Sequence, residues 1–256
     1  MRFLVIRACA IGDFVLHLPI LRALAAAHPG ATFTLLGYPE TLALARTFVP
    51  VEAIHSIEVQ PWASLFRTRL PDLRFDAAWV WMKDPVVAEN LRKSGIREVF
   101  HADPFPSSRH ASEHLLSTVN LQAPELPDLW DRSSSRIVLH PGSGGLTKVW
   151  PGFADLARTL SDAVILIGPC ETGLEFSNRR LENLSLPQVA EELRRSRLFI
   201  GSDSGITHIA AYWGTPTVAL FGPTDPDIWG PVGRRVRIVR RSSLADISVD
   251  DIRKLL

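Results

Sequence analysis

The sequence predicts an α/β protein with two parallel sheets, each covered by helices on both faces. Two observations carry this reading. Short apolar runs alternate with helical periodicity through the first hundred residues, and the same alternation restarts after residue 135. In order, Phe3–Ile6 reads as a buried strand, and a helix follows with Leu18, Leu21, Leu24 and Ala25 on one face and His28-Pro29-Gly30 as its stop. Thr32–Leu36 is the next strand, bounded by Gly37. Thr41–Phe48 reads as a helix, Ala53–Ile57 as a short strand, Asp76–Met82 as a strongly apolar strand and Val86–Arg92 as a helix. Between Gln122 and Ser135 periodicity lapses into prolines and serines, as a linker does. Arg136–His140, Ala163–Ile167, Leu198–Ile200 and Thr217–Phe221 are then strands. Phe153–Leu160, Leu186–Ser196 and Ile206–Trp213 are the helices between them.

The chain therefore divides into a half at 1–121, a linker at 122–135 and a half at 136–256. Each half is a Rossmann-like unit. A final helix at about 248–256 has an apolar side formed by Ile252 and Leu255, preceded by Ile247, and packs back on the body, either on its own half or on the N-terminal one.

Composition narrows the function classes. The 256 residues are 46% hydrophobic and 21% charged, enough apolar material for a sizeable core. Lys and Arg number 28 against 27 Asp and Glu, so no global field draws the protein to nucleic acid. Cys9 and Cys170 cannot form a disulfide framework and fit a reducing compartment. The N-terminal apolar run stops at Arg7, too soon for a signal peptide, and no run suits a membrane span. A cytoplasmic protein is expected.

In open parallel sheets ligands sit outside the carboxyl ends of the strands, so the loops after strands are where chemistry is expected. Asp13, after Gly12 in the first such loop, is either a helix N-cap or a carboxylate able to take a proton. The run His140-Pro141-Gly142-Ser143-Gly144-Gly145 is either a flexible hinge loop or one that exposes backbone N–H groups and hydroxyls to an anion. Lys148, one of four lysines, adds a point charge to it. It lacks the spacing of a Walker A loop. In Gly201-Ser202-Asp203-Ser204-Gly205-Ile206-Thr207-His208, Ser204 and Gly205 stand at a helix start, where the dipole favours phosphate. His110-Ala111-Ser112-Glu113-His114 matches a zinc motif in outline, but it opens an amphipathic helix through Leu115, Leu116 and Val119, and no metal is expected.

Taken together, these segments resemble glycosyltransferase family 9, the ADP-heptose:lipopolysaccharide heptosyltransferases. Arg7 with Ile11-Gly12-Asp13 through Leu18-Pro19 is similar to the family's opening motif. His140–Ser143 with Lys148-Val149-Trp150-Pro151 resembles its second. Gly201–Ala211, running on to Gly222-Pro223-Thr224-Asp225-Pro226, resembles its third. The resemblance implies a GT-B fold, with two Rossmann-like domains and parallel sheets facing across a cleft, the acceptor on the N-terminal side and the donor on the C-terminal side. It implies inverting transfer of a heptose or similar sugar from a nucleoside-diphosphate sugar, ADP-heptose, to a saccharide or glycolipid hydroxyl, as in lipopolysaccharide core synthesis.

No obligatory cofactor or metal is implied. Asp13 would be the general base. Ser143, Gly144, Lys148, Asp203, Ser204, Gly205 and His208 would hold the donor, and Glu171, or Glu175 in its place, would contact its ribose. His110 and Glu113 are the acceptor-side candidates. The implied partners are the donor and the acceptor, with no nucleic acid, and peripheral contact with the inner face of the cytoplasmic membrane. The N-terminal half shows no basic cluster of the sort a phosphorylated lipid acceptor calls for. The alternative is a non-catalytic nucleotide-sugar-binding or interaction protein on the same scaffold. Retention of Asp13, Lys148 and Asp203–His208 together favours the enzyme.

Overall fold

The computed structural model describes residues 1–131, 135–145, 148–160, 162–168 and 176–256. The chain forms two compact units, Met1–Pro124 and Glu125–Leu256.

The first unit is built on β1 (Arg2–Arg7), β2 (Thr32–Gly37), β3 (Val51–Ser56), β4 (Ala77–Trp81) and β5 (Glu98–Ala102). They lie in the order β3-β2-β1-β4-β5, all parallel, with Phe3 opposite both Phe33 and Ala77. Its helices are α1 (Ile11–Val15), α2 (Leu18–Ala27), α3 (Pro39–Leu42), α4 (Val86–Lys93) and α5 (Ala111–Ser117). Strands buried on both faces read as continuous apolar runs, which is why β1, β2 and β4 are plain in the sequence. Leu4, Ile6, Leu36 and Val80 meet Val87 and Leu91 of α4 on one face. On β1, Phe3 packs edge-on against Phe33 and Trp79, at centroid distances of 5.8 and 4.8 Å.

The expected helix over Thr41–Phe48 is instead the short α3 followed by a 3-10 turn at Ala43–Thr47. Pro39, with its φ preset, begins the helix two residues early.

The second unit has β6 (Ile137–His140), β7 (Val164–Ile167), β8 (Arg179–Glu182), β9 (Leu198–Ser202), β10 (Thr217–Phe221) and β11 (Val236–Arg240), again all parallel. Their order is β11-β10-β9-β6-β7-β8. Its helices are α6 (Phe153–Thr159), α7 (Leu186–Arg194), α8 (Gly205–Tyr212), α9 (Pro226–Trp229) and α10 (Val249–Arg253). Counted from its own first strand, this sheet repeats the first unit's order and adds one strand. In both, the chain reverses direction beside the first strand, between β1 and β4 and between β6 and β9. Those two switch points are where a ligand crevice opens in such sheets.

The final helix lies in the core of its own unit. Ile252 and Ile247 join Trp150, Phe153 and Leu156 there, and the buried Trp150 indole donates to the Ile247 carbonyl at 3.0 Å. Within the stretch expected as a linker, Asp128–Asp131 is fixed. Leu129 N–H donates to Trp213 O at 3.0 Å, Asp131 N–H to Arg194 O at 2.8 Å, and Trp130 Nε1 to Ser196 O at 2.7 Å. The Arg235 guanidinium takes Asp128 in a two-pronged pair and lies 4.9 Å over the Trp130 ring. The Trp130 indole and the backbone N–H groups of Leu129 and Asp131 give this segment its anchor.

Candidate functional site

In the second unit the loops after β6 and β9 flank the switch point, and the donor-side candidates gather there. Lys148 Nζ donates to Asp203 Oδ2 at 2.7 Å. The same oxygen accepts from Thr224 Oγ1 at 2.7 Å, and Ser143 Oγ donates to the Asp203 carbonyl at 3.3 Å. His208 Nε2 stands 3.9 Å from the other carboxylate oxygen. Asp203 is thus the hub of the cluster. Its burial works toward a raised pKa. The donors around it, His208, Lys148 and Thr224, together with the Lys148 charge, outweigh that and hold the carboxyl well below the usual range. It stays ionised and aims Lys148.

The strand-to-helix turn is set by close packing. A Cβ at Gly201 would lie 2.7 Å from the Phe199 ring and 2.8 Å from Thr207 Oγ1. Glycine there lets the Thr207 hydroxyl reach the Ser202 carbonyl and dock the helix start on the strand end. Ser204 is the N-cap of α8, its Oγ accepting from Thr207 N–H at 3.4 Å. The N–H groups of Gly205 and Ile206, the first two helical residues, therefore point outward for an acceptor from elsewhere. Gly144 faces open space, with no atom of the described residues beyond its chain neighbours within 4 Å of where its Cβ would stand. A lysine ammonium, a helix start and open glycine backbone are the groups that can meet a polyanion. Glu171 and Glu175 lie outside the described residues.

In the first unit, Asp13 is not the N-cap the sequence allowed. Ala10 holds that place, and Asp13 is the third residue of α1. Its half-exposed carboxylate takes no hydrogen bond or ion pair among the described residues. A carboxylate with no structural partner is available to accept a proton. At the ends of β1 and β4 lies a buried group to which the sequence assigns no role. Arg7 donates from Nη1 to Trp81 O at 3.5 Å, and its Nε has no partner among the described residues. The His17 ring meets Trp81 edge-on at 4.3 Å. Burial first, and the Arg7 charge second, push the His17 pKa well below its ordinary value, so the ring is neutral. The only available signal was that Arg7 and His17 fall within the opening motif.

His110 is the N-cap of α5, its Nδ1 accepting from Ser112 N–H at 3.3 Å, and Glu113 is exposed in the first turn. His114 Nε2 meets the Asp103 carbonyl at 2.9 Å. The outline of a zinc motif is therefore spent on helix capping and loop anchoring. Among the described residues no cluster of three or more His, Cys, Asp or Glu could hold a metal, and no helix is long and apolar enough to cross a membrane.

The profile of glycosyltransferase family 9 (heptosyltransferase) matches residues 114–252. Lipopolysaccharide heptosyltransferase 1 of Pseudomonas aeruginosa is 27% identical over 297 aligned positions, covering 91% of this chain and 82% of that protein. Two solved structures resemble it throughout. E. coli ADP-heptose LPS heptosyltransferase II aligns with a TM-score of 0.81 at 20% identity, covering 99% of this chain and 97% of the other. E. coli heptosyltransferase WaaC with ADP aligns with a TM-score of 0.77 at 18% identity, covering 100% and 98%. At those identities the likeness establishes the fold, the GT-B arrangement of two parallel-sheet α/β units.

Proposed function

Because the chain belongs to glycosyltransferase family 9, the heptosyltransferases, we propose that it moves a heptose from ADP-heptose to a hydroxyl of a saccharide or glycolipid acceptor in lipopolysaccharide core assembly. The observation that carries the donor half is the Lys148–Asp203–Thr224 cluster beside the open helix start at Gly205. The ADP of one heptosyltransferase structure of the same fold is a ligand of matching chemistry.

In the reaction, the acceptor oxygen forms a bond to the anomeric carbon while the bond from that carbon to the β-phosphate oxygen breaks. The electron pair leaves with ADP, and the configuration inverts. Lys148 and the Gly205 and Ile206 N–H groups meet the charge that builds on the leaving diphosphate, where preorganised donors lower the barrier. Ser143, Gly144 and Ser204 line the phosphate seat, and His208 supports Asp203 from behind. The acceptor's proton passes to Asp13, whose carboxylate holds no other bond among the described residues. That unoccupied carboxylate favours catalysis over a purely binding role. His110 and Glu113, on the acceptor-bearing unit, are the second choice for the base. Peripheral attachment to the inner membrane face follows if the acceptor is a glycolipid.

The test is incubation with ADP-heptose and heptose-deficient core oligosaccharides, followed by mass spectrometry and an ADP-release assay. A product heavier by one heptose, with one ADP released per transfer, is expected. Absence of ADP binding in calorimetry would remove the donor assignment, and ADP binding without transfer to any acceptor would favour the non-catalytic reading.

A further inference from the structure

Four strands end the two sheets, β3 and β5 in the first and β8 and β11 in the second. An edge presents unpaired N–H and C=O groups to any strand that can meet them, and charged side chains usually keep such strands away. Among the described residues, only β5 and β11 carry a large apolar side chain that is exposed, Phe100 at 49% and Ile238 at 40%. Arg234, Arg235, Arg237, Arg240 and Arg241 surround Ile238, and a second copy of that strand would bring the same positive excess against it. The β5 edge has the opposite character, with Glu98 its one acidic residue and no Lys or Arg. Phe100 stacks on Trp79 at a centroid distance of 5.2 Å and still leaves half its surface to solvent. Phe105, just beyond the strand, is exposed as well.

The backbone sets which register a second copy can take. Arg92 of α4 donates from Nη2 to the Val99 carbonyl at 2.8 Å, which places that carbonyl on the free side of the strand. Backbone groups alternate along a strand, so the polar groups of His101 face the same side and those of Phe100 face β4. An antiparallel copy with its two-fold axis at Phe100 sets Val99 opposite His101, where each can exchange N–H and C=O with the other. The second lone pair of the Val99 carbonyl serves this ladder beside Arg92. Phe100 then meets Phe100, and Glu98 faces Ala102. In the same register Arg97 stands opposite Asp103. Arg97 is exposed and makes no ion pair among the described residues, and the Asp103 carboxylate takes only the Phe105 N–H there, at 2.9 Å. Opposite charges therefore meet at two symmetric places, and like charges at none.

We propose that β5 is a homodimer interface, in which two copies pair β5 with β5 antiparallel about Phe100 and join their five-stranded sheets into one. A single short edge is a small interface, so the dissociation constant is expected in the range of roughly 1–100 µM. No residue assigned to the donor or to proton transfer takes part.

Sedimentation equilibrium on the full chain, from about 2 to 200 µM, is expected to show a reversible monomer–dimer equilibrium. Phe100→Asp is expected to leave a monomer throughout, with the ADP affinity of the parent by calorimetry. Because that change also uncovers Trp79, the charge pair supplies an independent check. Arg97→Asp and Asp103→Arg each set like charges opposite one another twice per dimer, and each should weaken association by about 10-fold or more. Mixing the two variants restores opposite charges at both places and should restore the dimer, as should the double variant. A parent that stays monomeric at about 200 µM, or a dimer that survives Phe100→Asp, would overturn the proposal. So would single charge variants that associate like the parent, or that fail to recover on mixing.

Discussion

Lys148 sits in an ion pair with Asp203, and this shapes what its removal does. A diphosphate recruits an ammonium that Asp203 has already positioned, so little side-chain entropy remains to be lost on binding. Lys148→Ala is expected to weaken ADP by about 1.5–3 kcal/mol, or roughly 10- to 150-fold, the scale of a charge-assisted contact. Unchanged affinity in titration calorimetry would take Lys148 out of the site.

His17 permits a second forecast at the same scale, this time on pH. Its pKa is lowered in the folded protein, so the unfolded chain binds the proton more readily. Stability from the neutral ring is complete above the ordinary value of 6.5 and falls as pH drops below it, by about 1.4 kcal/mol per unit. The Asp203 contribution is lost on the same acid side, but only below the ordinary carboxylate value of 3.8. Chemical denaturation between pH 7.5 and 5 is therefore expected to show a loss that His17→Phe flattens, since Phe keeps the ring against Trp81 and cannot charge. A slope shared by mutant and parent would place the titrating group elsewhere.

At the scale of elements, the turn from β9 into α8 depends on having no side chain at residue 201. Gly201→Ala puts a methyl within 2.8 Å of both the Phe199 ring and Thr207 Oγ1. Overpacking of this kind costs about 1–3 kcal/mol. Because the displaced Thr207 hydroxyl ties the helix start to the strand, ADP affinity is expected to drop along with the melting temperature. A mutant that melts lower yet binds ADP normally would separate packing from the phosphate seat.

The same scale shows where sequence patterning works. The inner strands β1, β2, β4, β6, β7, β9 and β10 read clearly because burial on both faces forces an apolar run. Of the edge strands, β3 is expected as Ala53–Ile57, whereas β5, β8 and β11 are not, since residues such as Arg179, Arg180 and Arg237 face solvent and carry no pattern. The motif loops were visible as glycine, serine and charge after strands. What could not be seen was pairing. Asp203 as the shared partner of Lys148 and Thr224, each on a different loop, depends on strand order, and strand order is not written in any local window. The N-cap reading of Asp13 failed because α1 begins at Ile11, and a five-residue helix leaves no periodicity by which to place its start.

For the whole molecule, the division of labour between the two units yields the last forecast. Ser143, Lys148, Asp203, Ser204 and His208 all belong to Glu125–Leu256, while Asp13 belongs to Met1–Pro124. Donor affinity and proton transfer are therefore expected to separate in one substitution. Asp13→Asn removes the basic group but keeps size and polarity. Asp13 caps nothing, and as a first-turn acid it contributes at most about 0.3–1 kcal/mol through the helix dipole, so the melting temperature should barely move. ADP affinity should be that of the parent, because every residue proposed to hold the donor lies in the other unit. Turnover should fall by roughly 10²–10⁴, the usual loss when a general base is replaced by an amide. Steady-state rates with a working acceptor, set beside calorimetry on the same sample, decide the matter. Parental turnover would move the base to another carboxylate or imidazole of the first unit. Glu113 would then come before His110, whose Nδ1 already caps α5.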